Sequence, residues 1–199
     1  MVYARTALRA GALIGALIAP VSMEPRTLEA DPRSRVDLEQ GTRVVVDLSE
    51  RVLRVYNGGE LMSTFRVAIG QPAHPTPRGS FRIDRIIWNP GWVPPDAEWA
   101  KDEPRRAPDD PENPMVGAKL FFKYPDYYIH GTNAPGSLGE AASHGCIRMN
   151  GVDVINLAEF LQARGGMPKS EAWFREVARN DATSHAVRLP RPIEMVIRD

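Results

Sequence analysis

The chain is poor in cysteine, in net charge and in long apolar runs, and each shortage removes a class of protein. A single cysteine, Cys146, stands among 199 residues, so no disulfide can form within the chain and the thiol is either buried and inert or kept for its reactivity. Lys plus Arg and Asp plus Glu each number 25, which leaves no overall field to draw the chain to nucleic acid or hold it on an anionic membrane; partners must be recognised locally. The N-terminal apolar run, Ala10 to Ala19, is too short to span a bilayer. There is no internal repeat and no Cys-x-x-Cys or His-x-x-x-His spacing, which removes repeat arrays and the common zinc frameworks.

What is present is a hydrophobic content of 43%, with 18 prolines and 16 glycines. That is enough apolar material for one well-buried domain plus appendages, and it favours a loop-rich β protein over a helical bundle. Arg5 and Arg9 precede the run Ala10 to Ala19, the order of basic and apolar regions in an export signal. The run has no polar face and a helix-unfriendly segment, Pro20 to Pro32, follows it, which argues against a core helix. Residues 1–23 are therefore expected to be an export signal or, because no clear Ala-x-Ala cleavage site follows, a short membrane anchor. Residues 24–40 read as a linker and 41–199 as the folded domain.

Within that domain TRVVVDLS (42–49) is β-rich and RVLRVY (51–56) alternates polar with apolar, so both predict strands. Asn57-Gly58 follows at once and tolerates positive φ, a hairpin signal whose returning strand is ELMSTFRVAIG. Further strands are predicted at SFRIDRIIW (80–88), AKLFFKY (118–124) and DYYIHG (126–131). Between Trp92 and Met115 lie prolines 94, 95, 104, 108, 111 and 114, which exclude regular structure through most of the stretch. With Trp88, Trp92 and Trp99 to pack it down, this 92–116 segment predicts a substrate-side flap, not a disordered insertion. Asn150 is a good N-cap for a helix that buries Val154, Leu157, Ala158 and Leu161 and stops at Gly165-Gly166. A second short helix runs from a Ser170 cap to about Arg179. LPRPIEMVIRD closes the 165–199 extension as a strand that Pro190 and Pro192 place at an edge.

Two segments carry the chemistry, YYIHGTN (127–133) and SHGCIRMN (143–150). A strand end and a returning loop can bring His130 beside Cys146, where the imidazole could activate the thiol and return a proton to a leaving amine. Gly145 leaves room for a substrate backbone, and N–H groups of that turn are candidates for an oxyanion hole. His144 is a weaker candidate for the base because neighbouring positions on an extended loop point apart. His74 reads as an exposed loop residue, and His185 has no chemical neighbours in sequence. A metal site built from His130, His144 and Cys146 lacks ligand spacing.

These segments resemble the L,D-transpeptidase catalytic domain family (the YkuD-like fold): a His, a spacer, then Ser-His-Gly-Cys and a polar residue two further on. RVVVDLSERVLRVY, PTPRGSF, NPGWVPP and HGTNAPGSLG extend the resemblance over roughly residues 41–164. It implies a mainly β fold, a β-sandwich with a mixed sheet, and a helix after the catalytic motif. It also implies Cys146 as nucleophile and His130 as general base and acid. The Gly131 carbonyl would orient the imidazole, and Ser143, His144, Gly145 and Arg148 would shape the pocket and bind the donor stem. The implied reaction is attack on the third residue of a peptidoglycan stem peptide, release of D-alanine, and transfer of the thioester to an acceptor amine, giving a 3→3 cross-link. No cofactor, metal or nucleic acid is implied, and the location is the periplasm or cell envelope. Water, a free D-amino acid or a protein as acceptor would instead give carboxypeptidase, exchange or anchoring activity. A non-catalytic peptidoglycan-binding module is the reading from a different class.

Overall fold

The computed structural model describes residues 41–199; the expected export segment and linker, 1–40, lie outside the described residues. Ten strands and two helices follow in order: β1 Thr42–Asp47, β2 Val52–Asn57, β3 Glu60–Arg66, β4 Ile69–Gly70, β5 Gly79–Trp88, β6 Val116–Lys123, β7 Tyr127–Gly131, β8 Ala141–Ser143, β9 Ile147–Met149, α1 Gly151–Arg164, α2 Glu171–Arg179 and β10 His185–Arg198. Eight strands form one mixed sheet in the order β3-β2-β1-β10-β5-β6-β7-β9, and β4 pairs with β8 in a small parallel sheet. The mainly β architecture with a mixed sheet is the one expected.

The first hairpin follows from its turn: Gly58 and Gly59 hold φ of 59° and 84°, a conformation that costs glycine little. The alternation in β1 and β2 sends Val44, Val46, Leu53 and Val55 inward. They join Ile83, Ile86, Leu120, Ile129, Ile147 and Met149 in one buried cluster closed by α1. Strands from opposite ends of the sheet thus share one core, and the segment after β3 reaches β9 directly through an Ala68–Arg148 bridge. The sheet curls until its ends meet, which makes two layers around the core.

Helix α1 starts where its cap allows, the Asn150 side chain accepting from the Val152 N–H at 2.8 Å, and it buries Val154, Leu157, Ala158 and Leu161 as the periodicity predicts. Ser170 caps α2 in the same way.

The closing strand corrects one expectation. β10 is not at an edge: it lies between β1, which it pairs in parallel, and β5, which it pairs antiparallel. The prolines are tolerated because Pro190 and Pro192 fall in the irregularity between Arg188 and Ile193, where the ladder to β5 is interrupted and no N–H is demanded of them. Among the described residues no helix is long and apolar enough to cross a membrane.

Candidate active site

Strand register builds the site. β7 runs parallel to β9 with His130 opposite Arg148, and antiparallel to β6 with His130 opposite Lys119. Lys119, His130 and Arg148 therefore form a row across three strands on one sheet face. Two residues back lies a second row in which Phe121 faces Tyr128 and Cys146, just ahead of β9, continues beyond Tyr128. The chain returns from β7 to β9 through the loop that holds Gly139. Arg51 Nη1 donates to the Gly139 carbonyl at 3.1 Å, and the Gly139 N–H donates to the Val67 carbonyl at 2.9 Å.

The turn that presents Cys146 is held by Ser143, which is 1% exposed. Its hydroxyl donates to the Cys146 carbonyl at 2.5 Å and accepts from the Gly145 N–H at 3.1 Å. Gly145 sits at φ 106°, and a Cβ there would lie 2.9 Å from the Tyr127 ring, so both backbone and space demand glycine. The Gly145 N–H is thereby taken, which removes one of the turn donors expected for an oxyanion hole. The Cys146 N–H has no hydrogen-bond partner among the described residues.

His130 is buried, 3% exposed, with Nδ1 2.8 Å from the Gly131 carbonyl oxygen. A carbonyl only accepts, so Nδ1 carries the proton and Nε2 is left with its lone pair. Burial pushes the imidazole down to about 4, with Arg148 and Lys119 adding to the shift and the Gly131 and Pro114 carbonyls opposing it. The ring is neutral at ordinary pH. Burial likewise pushes the half-buried Cys146 thiol up to about 11; the Tyr128 N–H, Arg148 and Lys119 pull it down and Asp126 raises it further. Among the described residues the thiol donates to the Asp126 carbonyl at 3.1 Å and makes no hydrogen bond to His130. Lys119 is displaced downward mainly by burial and stands 5.2 Å from the Tyr128 ring centre. It makes no ion pair among the described residues.

Both segments singled out by their sequence meet in one cavity of about 610 Å³, whose walls include His130, Ser143, His144, Cys146 and Arg148. Gly131 lies behind the wall, packed so closely that a Cβ would meet the Val116 carbonyl at 2.2 Å. The loop between β5 and β6 forms the facing wall through Trp92, Asp96, Trp99, Glu103 and Met115. It is ordered by buried Asn113, whose amide donates to the Pro90 and Ala107 carbonyls at 2.9 and 3.0 Å. His74, expected to be an exposed loop residue, is half-buried and also in the wall, its ring 5.0 Å from that of His144. Sequence reading missed Lys119 and Tyr128 altogether. Among the described residues no three His, Cys, Asp or Glu side chains are grouped to hold a metal ion.

Fold and cavity define a mainly β domain that carries a buried imidazole on β7 and a thiol just ahead of its parallel neighbour, β9. The L,D-transpeptidase catalytic domain (YkuD) family model matches residues 41–178, and the chain belongs to that family. The YkuD protein of Bacillus licheniformis is 37% identical over 119 residues, covering 60% of this chain and 59% of that protein. The ErfK/SrfK protein of Salmonella typhimurium is 34% identical over 119 residues, covering 56% of this chain and 38% of that one. The chain therefore spans about three fifths or less of the length of these relatives. Among solved structures the Ldtfm-avibactam carbamoyl enzyme shares the fold, with a TM-score of 0.52 at 16% identity over 80% of this chain and 49% of that one.

Proposed function

We propose that this chain is a peptidoglycan L,D-transpeptidase in which Cys146 is the nucleophile and His130 its base. The observation that carries the reading is the meeting of these two residues in one cavity of a domain that belongs to this family. A neutral imidazole with its Nε2 lone pair free can take the thiol proton, and the resulting imidazolium finds carbonyls of Gly131 and Pro114 to favour it. The thiol is protonated at rest. It becomes a nucleophile when Cys146 turns from the Asp126 carbonyl toward His130, a rearrangement of the kind that substrate binding completes.

The thiolate would then attack the carbonyl of the third stem-peptide residue and expel D-alanine, with His130 returning the proton to the leaving amine. The thioester left on Cys146 would pass to the amine of a neighbouring stem, forming a 3→3 cross-link; water in place of that amine would give a carboxypeptidase. Arg148 is a cation in the cavity wall, suited to a carboxylate of the donor stem. His144 and Ser143 shape the cavity, Ser143 by holding the turn. The substrate places the domain, 41–199, in the periplasm or cell envelope, with residues 1–23 as signal or anchor and 24–40 as linker.

The test is intact-mass spectrometry of the full chain after incubation with a disaccharide-tetrapeptide and, separately, a carbapenem, alongside Cys146→Ala. A covalent adduct that the variant loses, with released D-alanine and a cross-linked dimer, is the expected result. A chain that binds muropeptide without any adduct would instead be a binding module.

A further inference from the structure

An acyl transfer at Cys146 builds negative charge on the carbonyl oxygen under attack, and that charge needs donors fixed in advance. The backbone supplies fewer than the turn suggests. Gly145 N–H already donates to Ser143 Oγ, so of these two turn amides only the Cys146 N–H is without a partner among the described residues. A second donor has to come from a side chain at the cavity floor.

Tyr128 is placed for it. Parallel pairing sets Ile129 opposite Ile147, so Tyr128 is the residue beside Cys146 one step back, on the same face as His130. It packs with Cys146 in one small cluster that includes Trp92, Met115 and Phe121, and it lines the cavity with the thiol. Its ring meets the His130 ring edge to face, centres 5.6 Å apart, and Phe121 and Lys119 hold its other surfaces, at 5.3 Å and 5.2 Å from the ring centre. The ring has little freedom to turn away. Its hydroxyl has no nitrogen or oxygen partner among the described residues; it lies within hydrogen-bonding reach of the Cys146 sulfur, in the lining of the same cavity. Burial and the neighbouring thiol push the phenol well above its ordinary range, which keeps it a donor at every working pH.

We propose that the Tyr128 hydroxyl is a catalytic residue, donating with the Cys146 N–H to the oxyanion formed during acyl transfer at Cys146. The inference rests on the acyl-transfer reading above. The sulfur–carbon bond forms as the carbonyl π pair moves onto oxygen. That oxygen accepts hydrogen bonds from Tyr128 and from the Cys146 amide, with neither proton transferred. When the pair returns, the carbon–nitrogen bond breaks and the amine leaves with the proton held by His130.

The experiment compares the full chain with Tyr128→Phe in two reactions of the same thiol. Acylation by a carbapenem and by a disaccharide-tetrapeptide forms an oxyanion; alkylation by iodoacetamide displaces iodide and forms none. Removing one such donor slows acylation by roughly a hundredfold, while KM for the tetrapeptide stays as in the unmodified chain and alkylation changes far less than acylation. Equal slowing of alkylation would overturn the inference, since Tyr128 would then act on the thiol itself, or only on the fold. Unchanged acylation would overturn it as well. An unmodified chain that is alkylated but never acylated removes the acyl-transfer reading, and the oxyanion role with it.

Discussion

Trp99 lies flat on His144, ring centres 3.9 Å apart and planes 6° from parallel. The contact ties the loop between β5 and β6 to the residue two positions before the thiol, and His74 backs His144 from the other loop. Trp99 is 38% exposed, so the stack is only partly desolvated. Such a pair contributes about 0.5–1.5 kcal/mol beyond its buried area, enough to favour a closed loop and weak enough to let a substrate part it. Trp99→Ala should therefore leave the thiol intact and admit more water to the acyl-enzyme. The ratio of hydrolysed tripeptide to cross-linked dimer, measured by liquid chromatography and mass spectrometry, should rise several-fold. A ratio that stays fixed would mean that this loop does not control water.

His130 makes the stability of the domain depend on pH. Its folded pKa is held near 4 by burial, below the ordinary value of 6.5. As pH falls from about 6.5 to about 4, the unfolded chain gains a proton that the folded one refuses, so stability is lost across that window, on the order of 3 kcal/mol in all. His130→Gln removes the titrating group. Urea unfolding near pH 7 and near pH 4.5 should show a loss for the unmodified chain that is about 2 kcal/mol larger than for the variant. Parallel losses in the two proteins would contradict the assignment. The same variant should cut acyl transfer at neutral pH by roughly 10²–10⁴-fold.

Lys119 acts on both reacting groups through space. It favours the thiolate of Cys146 and disfavours protonation of His130, and it makes no ion pair among the described residues, the Asp126 carboxylate acting on it only through space. Lys119→Met keeps the stem against Phe121 and Tyr128 while removing the charge. Both pKa values should rise. The pH profile of iodoacetamide alkylation should move to higher pH, and the acid limb of the acylation profile should move the same way. A profile that does not move would show that the ammonium is screened from the site.

Much of this was legible in the chain because the signals are local. Asn57-Gly58, the Asn150 and Ser170 caps and the alternation of β1 and β2 act over a few residues, and each element formed where they indicate. His130 and Cys146 declared themselves through unusual neighbours. Lys119 and Tyr128 did not, because nothing in AKLFFKY or DYYIHG distinguishes an ordinary strand lysine or tyrosine from one set beside a thiol. Their positions follow from pairing between β6, β7 and β9, strands separated by two loops and chosen by the whole fold. The prolines of β10 misled for the same reason: a proline forbids a ladder bond only where the ladder asks for one, and that is decided by β5. The lost Gly145 donor was equally hidden, since only the folded turn brings Ser143 Oγ to it.

Two glycines separate backbone strain from the placement of the base. A Cβ on Gly131 would meet the Val116 carbonyl at 2.2 Å and the Val154 side chain at 2.9 Å, so Gly131→Ala must force β6 and β7 apart at the point where the Gly131 carbonyl holds His130. Overpacking of that kind costs about 1–3 kcal/mol, or roughly 2–12 °C in Tm for a domain of this size. At Gly58, where φ is 59°, nothing lies within 4 Å of the same Cβ, and alanine brings only about 1 kcal/mol of backbone strain. Both variants should melt earlier by calorimetry, but only Gly131→Ala should lose acylation beyond its loss of folded protein, because only there does the imidazole lose its anchor. Equal acylation per folded molecule in both would show that His130 keeps its orientation without the Gly131 carbonyl.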